Sequence, residues 1–63
     1  MTELDLKPGD VVVIRAFDDV PEHLFLVDEV FEDCVTGTAL TGPLAGEYGE
    51  PALDLIVRVV SDA

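Results

Sequence analysis

The sequence predicts an all-β fold: a small, partly open barrel of four to five short antiparallel strands. Three observations predict it. Leu6-Lys7-Pro8-Gly9-Asp10 empties directly into Val11-Val12-Val13-Ile14-Arg15. Pro presets φ and Gly permits positive φ, so Pro8-Gly9 suits the centre of a type II turn, and the four β-branched residues after it favour a pleated surface over a helix. Short apolar runs then recur along the chain with Pro and Gly at their corners. Finally, 63 residues make one domain with no room for a second core. A chain this short buries only about 60% of the surface its unfolded form exposes, so its strands must share one core.

Residues 1–6 read as an N-terminal tail from which Leu4 and Leu6 can reach a barrel end. The first strand is expected over Asp10–Phe17, and 16–22 then reads as a loop because Pro21 cannot donate to a ladder. The second strand is expected over His23–Phe31. Simple alternation there would put Phe25, Val27 and Phe31 on one face with Glu29. A β-bulge near Asp28-Glu29 resolves the conflict by bringing Val27 and Val30 to one side. A short helix over Pro21–Phe31, capped by Asp18 or Asp19, is the alternative. Strand is preferred because Leu24-Phe25-Leu26-Val27 lacks a 3.6-residue period and is rich in β-formers.

Glu32-Asp33 is the expected hairpin tip, and Cys34–Leu40 returns as a third strand. Gly37 in its middle predicts a bulge or a close backbone approach. Residues 41–51 hold three of the five glycines and two of the four prolines, and read as a mobile connection. The last strand, Ala52–Val60, alternates with Leu53, Leu55, Val57 and Val59 on one face. Residues 61–63 are a tail. The expected core is Val11, Val13, Leu26, Val35, Ala39, Leu55, Val57 and Val59, with Phe25 or Phe31 as its bulkiest member. First and last strands should pair, with Arg15 and Arg58 offset in register and each near a carboxylate such as Asp10 or Asp54.

The Pro-Gly-Asp-Val-Val-Val opening and the terminal strand resemble SH3-like small barrels of the KOW and Tudor type, in pattern, over nearly the whole chain. The resemblance implies antiparallel pairing of the first and last strands. KOW modules contact RNA through basic, Gly-rich loops; here the corresponding loop is Phe17-Asp18-Asp19-Val20-Pro21-Glu22, so that role is not carried over. Tudor barrels take methylated side chains in an aromatic cluster, whereas this chain has only Phe17, Phe25, Phe31 and Tyr48. The Gly-Asp-Val-Val opening and Ala39-Leu40-Thr41 are also similar to the small ribonuclease toxin fold. Neither arginine sits at the end of a matching strand, so that activity is not expected.

Charge supplies the functional signal. Fourteen acidic residues against three basic ones give a net charge of −11, and no base occurs from Ala16 through Val57. Seven carboxylates, Asp18, Asp19, Glu22, Asp28, Glu29, Glu32 and Asp33, fall within sixteen residues. Such a surface repels phosphate backbones, which argues against nucleic-acid binding. These seven residues, with Tyr48 as a contact aromatic, form the expected partner-binding set, and a basic protein is the expected partner. The bland reading is that the acidity only keeps an apolar-rich chain soluble.

Little points to chemistry. Cys34 is the sole cysteine and reads as a small buried or half-buried hydrophobe, its acidic neighbours disfavouring the thiolate. His23 reads as a rim residue. Asp18, Asp19 and Glu22 lack the alternate-position spacing of a calcium loop. No catalytic residues, metal or cofactor are expected. No run reaches the ~20 apolar residues of a membrane span and the N-terminus lacks a signal-peptide pattern, so the expectation is a cytoplasmic protein without a membrane partner. The sequence therefore favours a non-enzymatic acidic interaction module, with a nucleic-acid mimic or inhibitor of a basic protein as the alternative; oligomeric state stays open.

Overall fold

The computed structural model describes residues 6–60. Five strands, β1 (Val11–Ile14), β2 (His23–Val30), β3 (Val35–Ala39), β4 (Tyr48–Gly49) and β5 (Ile56–Val59), form one open antiparallel sheet in the order β4-β3-β2-β1-β5. One 3₁₀ turn, Leu53–Leu55, precedes β5.

The opening turn forms as its residues dictate. Asp10 N–H donates to the Lys7 carbonyl at 3.1 Å, and Gly9 takes φ +95° at the third turn position. The Asp10 carboxylate is buried and accepts from Lys7 N–H (3.1 Å) and Lys7 Nζ (3.2 Å). The turn docks on β2, with Gly9 N–H donating to Val27 O and Val27 N–H to Asp10 O, both at 2.8 Å. Leu6 packs against the core rather than trailing as a tail, whereas residues 1–5 and 61–63 lie outside the described residues.

The segment expected as a plain loop between β1 and β2 is a tight hairpin. Phe17 and Val20 exchange backbone hydrogen bonds of 2.9 and 2.6 Å across Asp18-Asp19. Both aspartates hold positive φ, +43° and +66°, as a type I′ turn requires. Asp tolerates this region better than most residues because its short side chain bonds locally. The helix alternative over Pro21–Phe31 is absent, and β2 occupies that span.

The bulge in β2 lies where expected. The β2–β3 register shifts between Val27 and Glu29. Val27 pairs with Gly37 and Val30 with Val35, so Val27 and Val30 share a face while Glu29 points the other way. Gly37 is a close approach: a Cβ there would overlap the Leu26 carbonyl oxygen and stand 2.9 Å from the Phe25 ring. The hairpin closes over Glu32-Asp33, with Phe31 N–H donating to Cys34 O.

Residues 41–51 are more ordered than a mobile connection. They hold a turn over 43–46 and the two-residue β4, whose Tyr48 and Gly49 pair with Thr38 and Gly37. The chain then crosses from the β4 edge of the sheet to the β5 edge. Val35 N–H donates to Pro51 O, Leu53 N–H to Asp33 O, and Arg15 N–H to Leu55 O. This crossing takes over the first part of the strand expected at Ala52–Val60, because Leu53–Leu55 must turn to reach β1.

The core faces opposite to much of the expectation. It contains Val12, Ile14, Phe25, Val27, Val35, Ala39 and Ile56, with Phe17, Leu53, Leu55 and Val59 packed against it. Val35 and Ala39 stand as expected, and Phe25 rather than Phe31 is the bulky member. Val13 is buried as expected, though on the opposite side from this cluster; Val11 and Leu26 also face away from it, and Val57 is 48% exposed. The physical reason is the two-residue period of a strand: a shift of one position exchanges the faces. Val57 is the extra residue where the β1–β5 register shifts between Val13/Ile14, so Ile56 enters the core beside Ile14.

The arginines are offset in register, Arg58 opposite Val13 and Arg15 two residues further along. Their expected carboxylate partners do not materialise. Among the described residues Lys7–Asp10 is the one ion pair, and it occupies Asp10. The described residues include no helix long and apolar enough to cross a membrane.

Candidate functional site

The curl of the sheet leaves an apolar cleft where the β1–β2 hairpin approaches the 44–55 segment. Its floor is Phe25, reaching out from the core, and its walls are Phe17, Leu44, Pro51, Ala52 and Leu55, with Gly49 and Glu50 along one side. The cleft measures ≈ 290 Å³, enough for one or two side chains. Three local features shape it. The Asp18-Asp19 turn carries Phe17 back over the core. Gly49, lying 3.6 Å from the Phe25 ring by its would-be Cβ, keeps the floor open. Leu44 belongs to a turn secured by Ala45 N–H to Gly42 O (3.1 Å) and Glu47 N–H to Leu44 O (2.8 Å). A shallower depression of ≈ 430 Å³ follows residues Ala16–Pro21 of the hairpin itself.

One carboxylate, Glu50, lines the cleft, and others neighbour its lining residues in the chain. Asp18 and Asp19 follow Phe17 in the chain, Glu47 lies between Leu44 and Glu50, and Asp54 precedes Leu55; all five acids, Glu50 included, are exposed. No basic residue lines the cleft.

Of the expected partner-binding residues, the structure gathers some and separates others. Asp18, Asp19 and Glu22 precede β2, and Glu32 and Asp33 follow it, so the two groups mark opposite ends of that strand. Asp28 is the unpaired residue of the bulge, and Glu29 faces outward opposite Thr36. Tyr48 is 64% exposed, lies outside the cleft lining and donates its hydroxyl to Glu50 Oε2 at 2.8 Å. That hydrogen bond, followed by partial desolvation and the charge of Glu50, pushes the Tyr48 phenol above its ordinary range.

His23 is buried, not on the rim. Its Nδ1 lies 2.8 Å from the Pro21 carbonyl oxygen, so Nδ1 carries a hydrogen and donates it, and its ring tilts against Phe17 at 6.4 Å between centroids. Gly42 packs on it, with a would-be Cβ 3.4 Å from His23 Cβ. His23 thus supports the wall of the cleft. Cys34 is half-buried, as read from the sequence, and desolvation first, then the charges of Asp33 and Glu50, push its thiol up. Among the described residues no three His, Cys, Asp or Glu side chains converge as metal ligands.

Sequence reasoning missed the cleft because its apolar lining comes from five separated stretches, none of them a motif. The Asp18-Asp19 pair was the one available signal: two αL-tolerant residues between Phe17 and Val20 are compatible with a type I′ turn that returns an aromatic to the sheet. No protein-family model, curated protein or solved structure matches this chain.

Proposed function

We propose that this chain is a non-enzymatic interaction module that takes a short basic segment of a partner protein, one apolar side chain entering the Phe17–Leu44 cleft. The observation that carries the reading is an apolar cleft with one carboxylate, Glu50, and no cation in its lining, close in sequence to the exposed acids Asp18, Glu47 and Asp54. Apolar burial supplies the affinity, at roughly 25 cal/mol per Å² removed from water. The carboxylates of Asp18, Asp19, Glu47, Glu50 and Asp54 attract Lys or Arg on either side and speed encounter. The antiparallel pairing of first and last strands is the feature that supports kinship with SH3-like barrels as interaction modules. A catalytic role has less support, because the one imidazole is sunk beneath Phe17 and bonded to a backbone carbonyl. A nucleic-acid mimic would rely on carboxylates alone and leave the cleft without a use.

The test is an amide-resolved NMR titration with three short peptides, alternating Lys-Leu, Lys-Ser and Glu-Leu. The Lys-Leu peptide should shift Phe17, Leu44, Ala52 and Leu55, and Leu44→Asp should abolish those shifts. Equal binding of the Lys-Ser peptide would show that charge alone is recognised and would overturn the cleft reading. Binding of the Glu-Leu peptide as tight as that of Lys-Leu would remove the role of the carboxylates.

A further inference from the structure

The sheet has two edges, and the apolar cleft follows one of them. β4 ends the sheet order, and the consecutive residues Gly49, Glu50, Pro51 and Ala52 at that edge line the cleft. The alternation of an antiparallel ladder fixes where the backbone of this edge points. Ala39 N–H donates to Glu47 O and Val35 N–H to Pro51 O, both at 3.0 Å, and Gly37 pairs with Gly49 in the same register. The carbonyls of Glu47 and Pro51 thus turn toward β3. Tyr48, opposite Thr38, stands between them in a non-hydrogen-bonded pair, so its N–H and C=O point away from the sheet. Glu50 repeats that orientation two residues on. Neither residue's backbone has a hydrogen bond among the described residues, and both residues are exposed.

Gly49, between these two residues, looks onto the cleft. A Cβ built there would stand 3.6 Å from the Phe25 ring, the cleft floor. In a strand laid along β4, the residues bonded to Tyr48 and to Glu50 are two apart, and the one between them lies opposite Gly49. Opposed residues of paired strands project on the same face. The middle side chain therefore passes over the space that Gly49 leaves and enters the cleft against Phe25. Its two neighbours project on the other face, beside the Tyr48 hydroxyl and the Glu50 carboxylate, which are bonded to each other at 2.8 Å.

We infer that the β4 edge takes its ligand as an added antiparallel strand. The ligand is an extended segment of a basic protein, bonded through its backbone to Tyr48 and Glu50. One apolar side chain opposite Gly49 enters the cleft, with Lys or Arg on either side of it in the chain. The inference rests on the cleft reading above and gives that ligand a backbone conformation, a register and an order of side chains. Strand addition draws affinity from main-chain hydrogen bonds and specificity from alternate side chains, and antiparallel pairing is the more stable of the two directions. Charge selects the occupant. Glu47 and Glu50 bracket Tyr48-Gly49 and both are exposed, so a basic strand meets opposite charge. An acidic strand, a second copy of this chain with its net charge of −11 included, is repelled. The β5 edge contributes nothing to the cleft lining and carries Arg58, which disfavours the same segment there.

NMR on the full chain with the alternating Lys-Leu peptide tests this, beside two versions in which either every Lys amide or every Leu amide is N-methylated. Side chains and charge are the same in all three, and the protein is unaltered. With Leu in the cleft, antiparallel addition turns each Lys N–H toward β4 and each Leu N–H toward solvent. The N-methyl-Lys peptide should therefore bind on the order of tenfold more weakly or worse, and the N-methyl-Leu peptide should bind like the parent. The Tyr48 and Glu50 amides should exchange rapidly in the free chain and slow on binding. A contact between the α-protons of Gly49 and a peptide Leu, whose Cα atoms lie about 4.5 Å apart in such a pair, should fix the register. An N-methyl-Lys peptide that binds as tightly as the parent overturns the strand addition. So do Tyr48 and Glu50 amides that are protected in the free chain or stay unprotected in the complex. In each case shifts at Phe17 and Leu55 leave the cleft reading standing; a parent peptide that shifts neither residue overturns both.

Discussion

Replacing Gly37 by alanine adds one methyl group at the most crowded backbone position of the sheet. The new Cβ would overlap the Leu26 carbonyl oxygen, which is fixed backbone, and approach the Phe25 ring at 2.9 Å. A flexible side chain could swing aside, but a ladder carbonyl cannot move without parting the strands. Overpacking of a filled core costs about 1–3 kcal/mol. Separating β2 from β3 around Leu26↔Thr38 and Val27↔Gly37 weakens roughly two backbone hydrogen bonds, at about 1 kcal/mol each. The sum is ~3–5 kcal/mol. At 0.05–0.15 kcal/mol per residue the whole domain holds only about 3–9 kcal/mol. Urea unfolding followed by far-ultraviolet circular dichroism reads the loss directly. With a slope of about 1 kcal/mol per molar, the midpoint should fall by several molar. Gly46→Ala is the control: Gly46 has φ +87° but nothing within 4 Å of the added Cβ, so it should cost only the ~1–2 kcal/mol of a left-handed alanine. If Gly37→Ala costs no more than Gly46→Ala, the close approach of β2 and β3 is wrong.

Two further outcomes follow from the packing and the charges. Ile56→Ala should destabilise by about 2–5 kcal/mol while Val57→Ala costs under about 1 kcal/mol; the same urea titration would refute the bulge in β5 if the order reversed. The Tyr48 phenol, raised chiefly by its bond to Glu50, should titrate above a free tyrosine in ultraviolet absorbance, and Glu50→Gln should lower its midpoint. The raised value means that this bond stabilises the fold fully below the unfolded tyrosine value and is lost as pH rises through the folded one. A midpoint unmoved by Glu50→Gln would remove the bond.

The amino-acid sequence alone determined the elements whose causes are local. The type II turn at Pro8-Gly9 follows from the φ that each residue permits, and the strands follow from β-branched runs. Gly37 announced a close approach because a strand interior otherwise has no use for a missing side chain. The bulge at Asp28 was forced by a conflict in alternation that only an extra residue could relieve. What the sequence could not determine was which face of the sheet is the core. Val11-Val12-Val13-Ile14 and Leu24-Phe25-Leu26-Val27 are apolar on both faces, so a period of two has no phase to read. Tertiary structure chose Val12, Ile14, Phe25 and Val27 because the Leu53–Leu55 turn and Phe17 close over that side alone. The same closure created the cleft. Its walls come from residues far apart in the chain and acquire a common chemistry only when the sheet curls and the 44–55 segment crosses from one edge to the other.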